Sequence, residues 1–254
     1  MKKLLLLTLL LFSFGLASCD SSKVDPCADG HDWKEATLSA PKTCRECGET
    51  KGKPLTQDIT MLQAAIDKLN EGNYTIDLSE TVAEEPSMKG TTKIQSTKDK
   101  LLMTIDLGEM NMNVKMYGEI SDENVTLWYY MSQETGWMNM GEISMEEFND
   151  SMSQDPFKNL TSEMFTLKNG VWVGNVEMIS EALNGVVADL AIKTTFEVSK
   201  YHIKLDDYGN IKTIDLIMTT TIDNNGDITS TTMTANYKYS KIGSTKVERP
   251  SDLK

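Results

Sequence analysis

The sequence is poor in basic and histidine side chains. It has 25 Lys and Arg against 38 Asp and Glu, a formal charge of −13, and only two histidines. Nucleic acid binding needs a basic surface, so we expect no nucleic-acid partner. The chain also lacks a Gly-x-Ser-x-Gly elbow, a His-Glu-x-x-His helix and a glycine-rich phosphate loop. His202 alternates with Lys200 and Lys204, which predicts an exposed sheet position. With no candidate catalytic residues, the sequence predicts a protein that is not an enzyme.

Long apolar runs are missing after Leu16. No later stretch approaches the roughly 18 consecutive apolar residues of a membrane helix. The start has two lysines and then an apolar run up to Leu16, which is typical of a secretory signal. Leu16-Ala17-Ser18-Cys19 resembles the bacterial lipobox, which implies cleavage before Cys19 and a lipid on its thiol. An ordinary signal with a chance cysteine is the alternative. We predict a signal peptide over 1–18 and a lipid anchor to the membrane through Cys19, on the extracytoplasmic face of the cell membrane.

Cysteine is scarce, and the three cysteines after Cys19 fall close together. Cys27-x3-His31 is followed, after twelve residues, by Cys44-x2-Cys47. Two short pairs of thiol and imidazole ligands are typical of tetrahedral zinc. The polar residues 19–26 read as a tether, so we predict a small zinc-binding module over 27–52. With four protein ligands, the zinc would be structural.

The same stretch resembles short zinc-ribbon-like modules of Gram-positive surface proteins. The resemblance rests on residues 30–37 and on Pro41-Lys42-Thr43-Cys44-Arg45-Glu46-Cys47-Gly48. It implies that His31, Cys44 and Cys47 are ligands. Those modules usually carry a cysteine where this chain has Leu38, so Cys27 is expected to supply the fourth ligand.

Two other states of these cysteines remain open. Exported proteins meet oxidising conditions, so a Cys44–Cys47 bond or another single disulfide is an alternative, and free thiols are a third. A unit of about 25 residues cannot build its own core, so it needs a metal or a disulfide to fold.

The remainder of the chain predicts an α+β domain. Apolar residues at three- and four-residue spacings from Ile59 to Leu69 predict a helix. From Tyr74 onward, apolar residues recur at every second position. This alternation predicts half-buried antiparallel strands joined by short polar turns. Ser144 and Glu147 form a capping-box pattern that predicts a helix containing Phe148. Another helix is expected over 176–190, and three long strands over 196–205, 211–222 and 228–239.

This layout resembles the half-barrel lipoproteins of the LolA and LppX type. The resemblance covers about residues 58–250, from the first helix to the final Lys246-Val247-Glu248-Arg249-Pro250. It implies a strongly curved antiparallel sheet, a half-barrel, with helices packed on the concave face around an apolar cavity.

Methionine is abundant, with sixteen in the chain, and many lie in the predicted strands. They could be gap-filling core residues, or they could line a cavity that adapts to apolar ligands. Copper binding by thioethers is a third interpretation. The predicted cavity residues are Met103, Ile105, Met112, Val114, Met116, Leu127, Tyr129 and Met131. We therefore expect a membrane-anchored, non-enzymatic carrier of a hydrophobic or lipid-like ligand. The alternative is an envelope interaction or structural module without a small-molecule ligand.

Overall fold

The structure, a computed structural model, describes the chain from Cys27 to Leu253 with gaps. The described residues are 27–28, 30–85, 89–107, 112–130, 132, 134–145, 147–148, 160–187, 193–224 and 226–253. The predicted signal peptide, the tether and Cys19 lie outside them. Among the described helices, none is both long and apolar enough to cross a membrane.

The chain divides into two compact units. The small unit contains the described residues up to Ala36 and Ala40–Lys53, and the large unit contains Thr37–Ser39 and the chain from Pro54 onward. Three short antiparallel strands form the sheet of the small unit, in the order β1-β2-β3. They are β1 (Trp33–Lys34), β2 (Lys42–Cys44) and β3 (Thr50–Lys51). Strands of two or three residues are too short to show an alternation of apolar and polar residues, so the sequence did not predict them.

The large unit is built on one open antiparallel sheet of eleven strands. Six of them are β4 (Tyr74–Val82), β5 (Lys89–Ser96), β6 (Lys100–Leu107), β7 (Met112–Ile120), β8 (Asn124–Tyr130) and β9 (Trp137–Ser144). The other five are β10 (Phe165–Lys168), β11 (Val171–Gly174), β12 (Lys193–Leu205), β13 (Ile211–Asn224) and β14 (Asp227–Ser240). Their order is β10-β11-β12-β13-β14-β4-β5-β6-β7-β8-β9, so β10 and β9 are the edges. The predicted antiparallel sheet with helices is confirmed.

The middle of this sheet joins strands from opposite ends of the large unit. β14 pairs with β4, with Tyr237 opposite Leu78 and Tyr239 opposite Ile76. Beside this pairing, the hydroxyls of Thr75 and Thr245 lie 3.0 Å apart in a buried hydrogen bond. The other pairings of the sheet join strands that are consecutive in sequence.

Helix α1 (Ile59–Asn70) begins where the sequence pattern predicts. The Asp58 carboxylate caps it by accepting the Met61 N–H at 3.0 Å, which satisfies one of the free donors of the first turn. The apolar side is buried and consists of Leu62, Ala65, Ile66 and Leu69. After the helix, Gly72 adopts a φ of +77°, a conformation that glycine reaches without strain.

Helix α2 (Val176–Val187) is fastened to β12 by side-chain hydrogen bonds. The Asn184 amide accepts the Phe196 N–H at 2.7 Å and donates to the Phe196 carbonyl at 2.9 Å. The Ser180 hydroxyl accepts the Val198 N–H, next to a register shift in β12. Residues 188–190 of the predicted helix lie outside the described part of the chain.

Both helices share one core with one face of the sheet. Residues opposite each other in antiparallel strands point to the same side. Ile76, Leu78, Tyr237, Leu216 and Ile203 therefore share a side, which we call the helix-bearing face. They form a single buried cluster with four residues of α1 and with Ile179 and Leu183 of α2.

The opposite face of the sheet has its own smaller cluster. Tyr117 and Trp128, which face each other on β7 and β8, are buried together with Val247 of the C-terminal segment. The Arg249 guanidinium lies 5.8 Å from the centre of the Trp128 ring. Trp137 Nε1 donates to Asp252 at 3.1 Å, so the C-terminal segment packs against this face.

The start of β12 and the exposure of His202 differ from the sequence expectations. β12 starts at Lys193, three residues before the predicted start. His202 is half-buried, because it stands between Val173 of β11 and Asp215 of β13. Burial and the neighbouring Lys200 lower the pKa of His202.

Candidate functional site

Two tight turns place the Cys/His group in the small unit. After Cys27, the Gly30 N–H donates to the Cys27 carbonyl at 2.9 Å, which brings His31 to the start of β1. Cys44 ends β2, and the Gly48 N–H donates to its carbonyl at 3.1 Å. Each turn thus presents one of the two sequence pairs, and the pairing of Trp33 with Cys44 in β1 and β2 brings the turns together.

The four predicted ligands converge. The ligand atoms of Cys27, His31, Cys44 and Cys47 all lie within 4.8 Å of one another. Cys27 Sγ is 3.4 Å from Cys44 Sγ, and Cys47 Sγ is 3.5 Å from His31 Nδ1. Tetrahedral zinc with bonds of about 2.0–2.3 Å places its ligand atoms roughly 3.5–3.8 Å apart. A disulfide needs about 2.05 Å. The spacing therefore fits a shared metal ion.

The environment of the thiols favours a cation at their centre. Cys27 and Cys44 are buried, whereas Cys47 is exposed. The backbone N–H of Cys47, more than any other group, lowers the pKa of Cys44 to about 6. Burial, followed by the adjacent thiols, raises the pKa of Cys27 to about 12. Several thiolates in such a space repel one another, and a divalent cation removes that cost.

Glu49 is a residue of this site that sequence reasoning missed. Its carboxylate lies 3.3 Å from His31 Nε2, on the side of the ring away from Cys47. A proton on Nε2 is donated to Glu49, which leaves the Nδ1 lone pair directed at the thiols. The Trp33 ring, with its centre 4.9 Å from that of His31, also limits rotation of the imidazole. An isolated acid carries no sequence signal for such a role.

Replacing Glu49 by glutamine is expected to weaken metal binding about 10- to 100-fold, because outer partners of ligating histidines contribute on that scale. The measurement is zinc affinity of the reduced protein in competition with a chromophoric chelator. Glu46→Gln, an exposed acid in the turn between the two cysteines, is the matched control and should bind as the parent does. Equal affinity of both variants would show that Glu49 does not orient His31.

Six of the eight predicted cavity residues lie together on the sheet. Met103 of β6 faces Met116 of β7, which faces Tyr129 of β8, so all three share a side. The six, with Phe148, line a hollow of about 270 Å³, which we call the apolar hollow: Met103, Ile105, Val114, Met116, Leu127, Tyr129 and Phe148. Met131 and the side chain of Met112 lie outside the described part of the chain. Ile94 of β5 stands opposite both Ile76 of β4 and Met103 of β6, so these three residues point to the same side of the sheet. The apolar hollow therefore lies on the helix-bearing face.

Local features shape the apolar hollow. Leu127 stands opposite Gly118, where an added Cβ would lie 3.2 Å from Leu127 Cδ2, so glycine makes room for that side chain. Phe148 is positioned by the predicted capping box. The Ser144 hydroxyl accepts the Glu147 N–H at 3.1 Å, and the Glu147 carboxylate accepts the Ser144 N–H at 3.1 Å. Met138 and Met140 are exposed on the edge strand β9, where Met138 stands opposite Tyr129 of the hollow.

The structure thus defines a chain with a Cys/His group suited to a metal ion and a large open antiparallel sheet. No protein-family model matches the chain, and no curated protein matches it.

Proposed function

We propose that the chain is a membrane-anchored extracytoplasmic lipoprotein that binds a hydrophobic or lipid-like ligand and catalyses no reaction. The observation that carries this proposal is the apolar hollow on the helix-bearing face. The large unit would be a half-barrel of the LolA and LppX type, with its helices on the concave face. The open sheet and the single core that joins both helices to one side of it support that assignment.

The chemistry of the apolar hollow suits an alkyl chain. Its lining side chains are aliphatic, thioether and aromatic, and none carries a formal charge. Methionine is flexible and polarizable, so Met103 and Met116 can adapt to chains of different shape. The volume of about 270 Å³ falls just below the roughly 300–1,000 Å³ typical of drug-sized sites. It therefore suits one segment of a single chain better than a bulky polycyclic ligand.

The small unit would have a structural role next to the anchor. The lipid on Cys19 would hold the chain at the membrane, with residues 19–26 as the tether. We propose zinc for the four-ligand group, since three thiols and one imidazole are a common structural zinc set. All four positions would be filled by the protein, which leaves no coordination site for a substrate.

The competing function is an envelope interaction module whose hollow is filled by its own side chains. Extraction of the purified protein from its native host distinguishes the two. Mass spectrometry should find a lipid-like molecule in about stoichiometric amount if the chain is a carrier. Consistent absence of any apolar molecule, together with failure to bind added alkyl probes, would favour the interaction module.

Val114→Asp is expected to abolish binding of a neutral apolar fluorophore such as phenylnaphthylamine. An unpaired carboxylate among the apolar side chains of the hollow is costly to desolvate. The measurement is fluorescence enhancement on titration, with thermal unfolding recorded to check the fold. Asn113→Asp adds the same charge at the exposed neighbouring position of β7 and should bind as the parent does. Unchanged binding by a folded Val114→Asp protein would contradict the assignment of the hollow.

A further inference from the structure

Among the described residues that line a second hollow on the helix-bearing face, one is acidic. The hollow has a volume of about 380 Å³ and lies over β12, β13, β14 and β4. Leu183 of α2 lines one side, and Phe196, Met218 and Met233 are among the apolar side chains of its wall. Glu80 is the charged residue of this lining, so we call it the Glu80 hollow.

Glu80 occupies a position at which the strand pattern would otherwise place an apolar residue. It continues the phase of Ile76 and Leu78 on β4, which are both buried on the helix-bearing face. Its opposite neighbours are Ala235 on β14 and Gly90 on β5. Neither can donate a side-chain hydrogen bond or supply a positive charge.

The carboxyl of Glu80 lacks a compensating group within the described chain. No hydrogen bond or ion pair joins its side chain to another described residue, and none of the described residues that line the hollow is a lysine, arginine or histidine. Burial raises the pKa of Glu80. A carboxyl group in such a place loses hydration without gaining a partner, unless a ligand supplies a donor or a cation.

The Glu80 hollow and the apolar hollow are neighbours along the same face. In the register, Leu78 is opposite Thr92, and Thr92 is opposite Ile105, which lines the apolar hollow. Glu80 and Ile105 lie two strands apart across the sheet and two residues apart along the strand direction. This offset corresponds to about 12 Å between them over the sheet surface. On β5 between the two hollows, Gly90 has no side chain and Thr92 has a small one.

We propose that the Glu80 hollow receives the protonated amine headgroup of a single-chain amphiphile whose alkyl chain runs along the helix-bearing face into the apolar hollow. This inference rests on the proposed function, because it names the ligand class of that same face. The ammonium donates hydrogen bonds to the Glu80 carboxylate, and the ion pair offsets the desolvation of both groups. An anionic headgroup at the same place would face like-charge repulsion.

The test compares three amphiphiles of equal chain length, decylammonium, decanol and decanoate, below the concentrations at which they form micelles. Each is used to displace phenylnaphthylamine from the zinc-loaded chain beginning at Cys19. An alkylamine has a pKa near that of lysine, about 10.4, and is cationic at neutral pH. We expect decylammonium to bind at least about tenfold more tightly than decanol, and decanoate most weakly.

Glu80→Gln removes the charge while keeping the shape of the side chain. It should bring decylammonium to the affinity of decanol and leave the fluorophore affinity within about twofold. Asp77→Asn is the matched control, because Asp77 lies on the same strand but is exposed on the opposite face. It should retain the full preference for the amine. Thermal unfolding of both variants checks that the fold is kept.

The outcomes separate the two proposals. If the fluorophore binds but the three amphiphiles compete equally, or decanoate competes best, the amine assignment is overturned and the apolar carrier proposal stands. Equal loss of the amine preference in Asp77→Asn would also overturn the role of Glu80. If neither the fluorophore nor any amphiphile binds the parent protein, both proposals fail together.

Discussion

Cys44→Ser is expected to reduce zinc from about one ion per chain to none and to unfold the small unit. Cys44 is the most buried thiol of the group, and its Sγ lies 3.4 Å from that of Cys27. The small unit has three strands of two or three residues and little apolar surface to bury. Structural zinc supplies about 10–16 kcal/mol of apparent binding free energy in comparable peptides, so losing it exceeds any packing that remains.

The measurement is metal content of reduced protein, together with limited proteolysis of residues 27–53. The large unit should keep its thermal transition, because its core lies in a separate compact unit. Thr43→Ser is the control in the same strand, and it keeps a hydroxyl that can donate to the Pro41 carbonyl. Absence of zinc from the parent, with a Cys44–Cys47 disulfide in material from the native host, would establish the disulfide alternative.

Cys19→Ala is expected to eliminate fatty-acid incorporation and to release the protein from stable membrane association. The thiol of Cys19 is the atom that would carry the lipid, and alanine offers no acceptor. Two or more acyl chains anchor a protein stably in the bilayer, whereas the polypeptide without them would bind the membrane far more weakly. Metabolic labelling with a fatty-acid probe and membrane fractionation measure both effects.

Ser18→Ala provides the matched control for this substitution. It keeps a small residue immediately before Cys19, so cleavage and labelling should continue at the level of the parent. Equal label in Cys19→Ala and in the parent protein would show that the lipid is elsewhere or absent.

The parts of the fold that a local period determines were predictable. Leu62, Ala65, Ile66 and Leu69 recur at helical spacing, and all are buried on one side of α1. In β6 to β8, alternation places every second residue on one side, so consecutive hairpins bring Met103, Met116 and Tyr129 together. The Cys/His group was also predictable, because its four residues occur as two pairs that are close in sequence, and the structure brings the pairs together.

The remaining features depend on contacts between distant parts of the chain. Nothing near Tyr74 or Tyr239 indicates that β4 pairs with β14, because both strands have the same kind of alternation. The packing of Val247 onto Tyr117 and Trp128 is likewise determined by tertiary structure. Glu80 did carry a signal, since an acid in the phase of Ile76 and Leu78 conflicts with a buried strand face.

The pairing of β4 with β14 constrains the order in which the protein folds. Thr75 and Thr245, whose hydroxyls bond beside that pairing, are 170 positions apart in sequence. Contacts of such high sequence separation form slowly, because a long loop must close before they contribute free energy. A chain synthesised from its amino terminus cannot complete the helix-bearing face until β14 has left the ribosome. The early strands therefore keep an unpaired edge at β4, and this edge stays open to aggregation until β14 pairs with it.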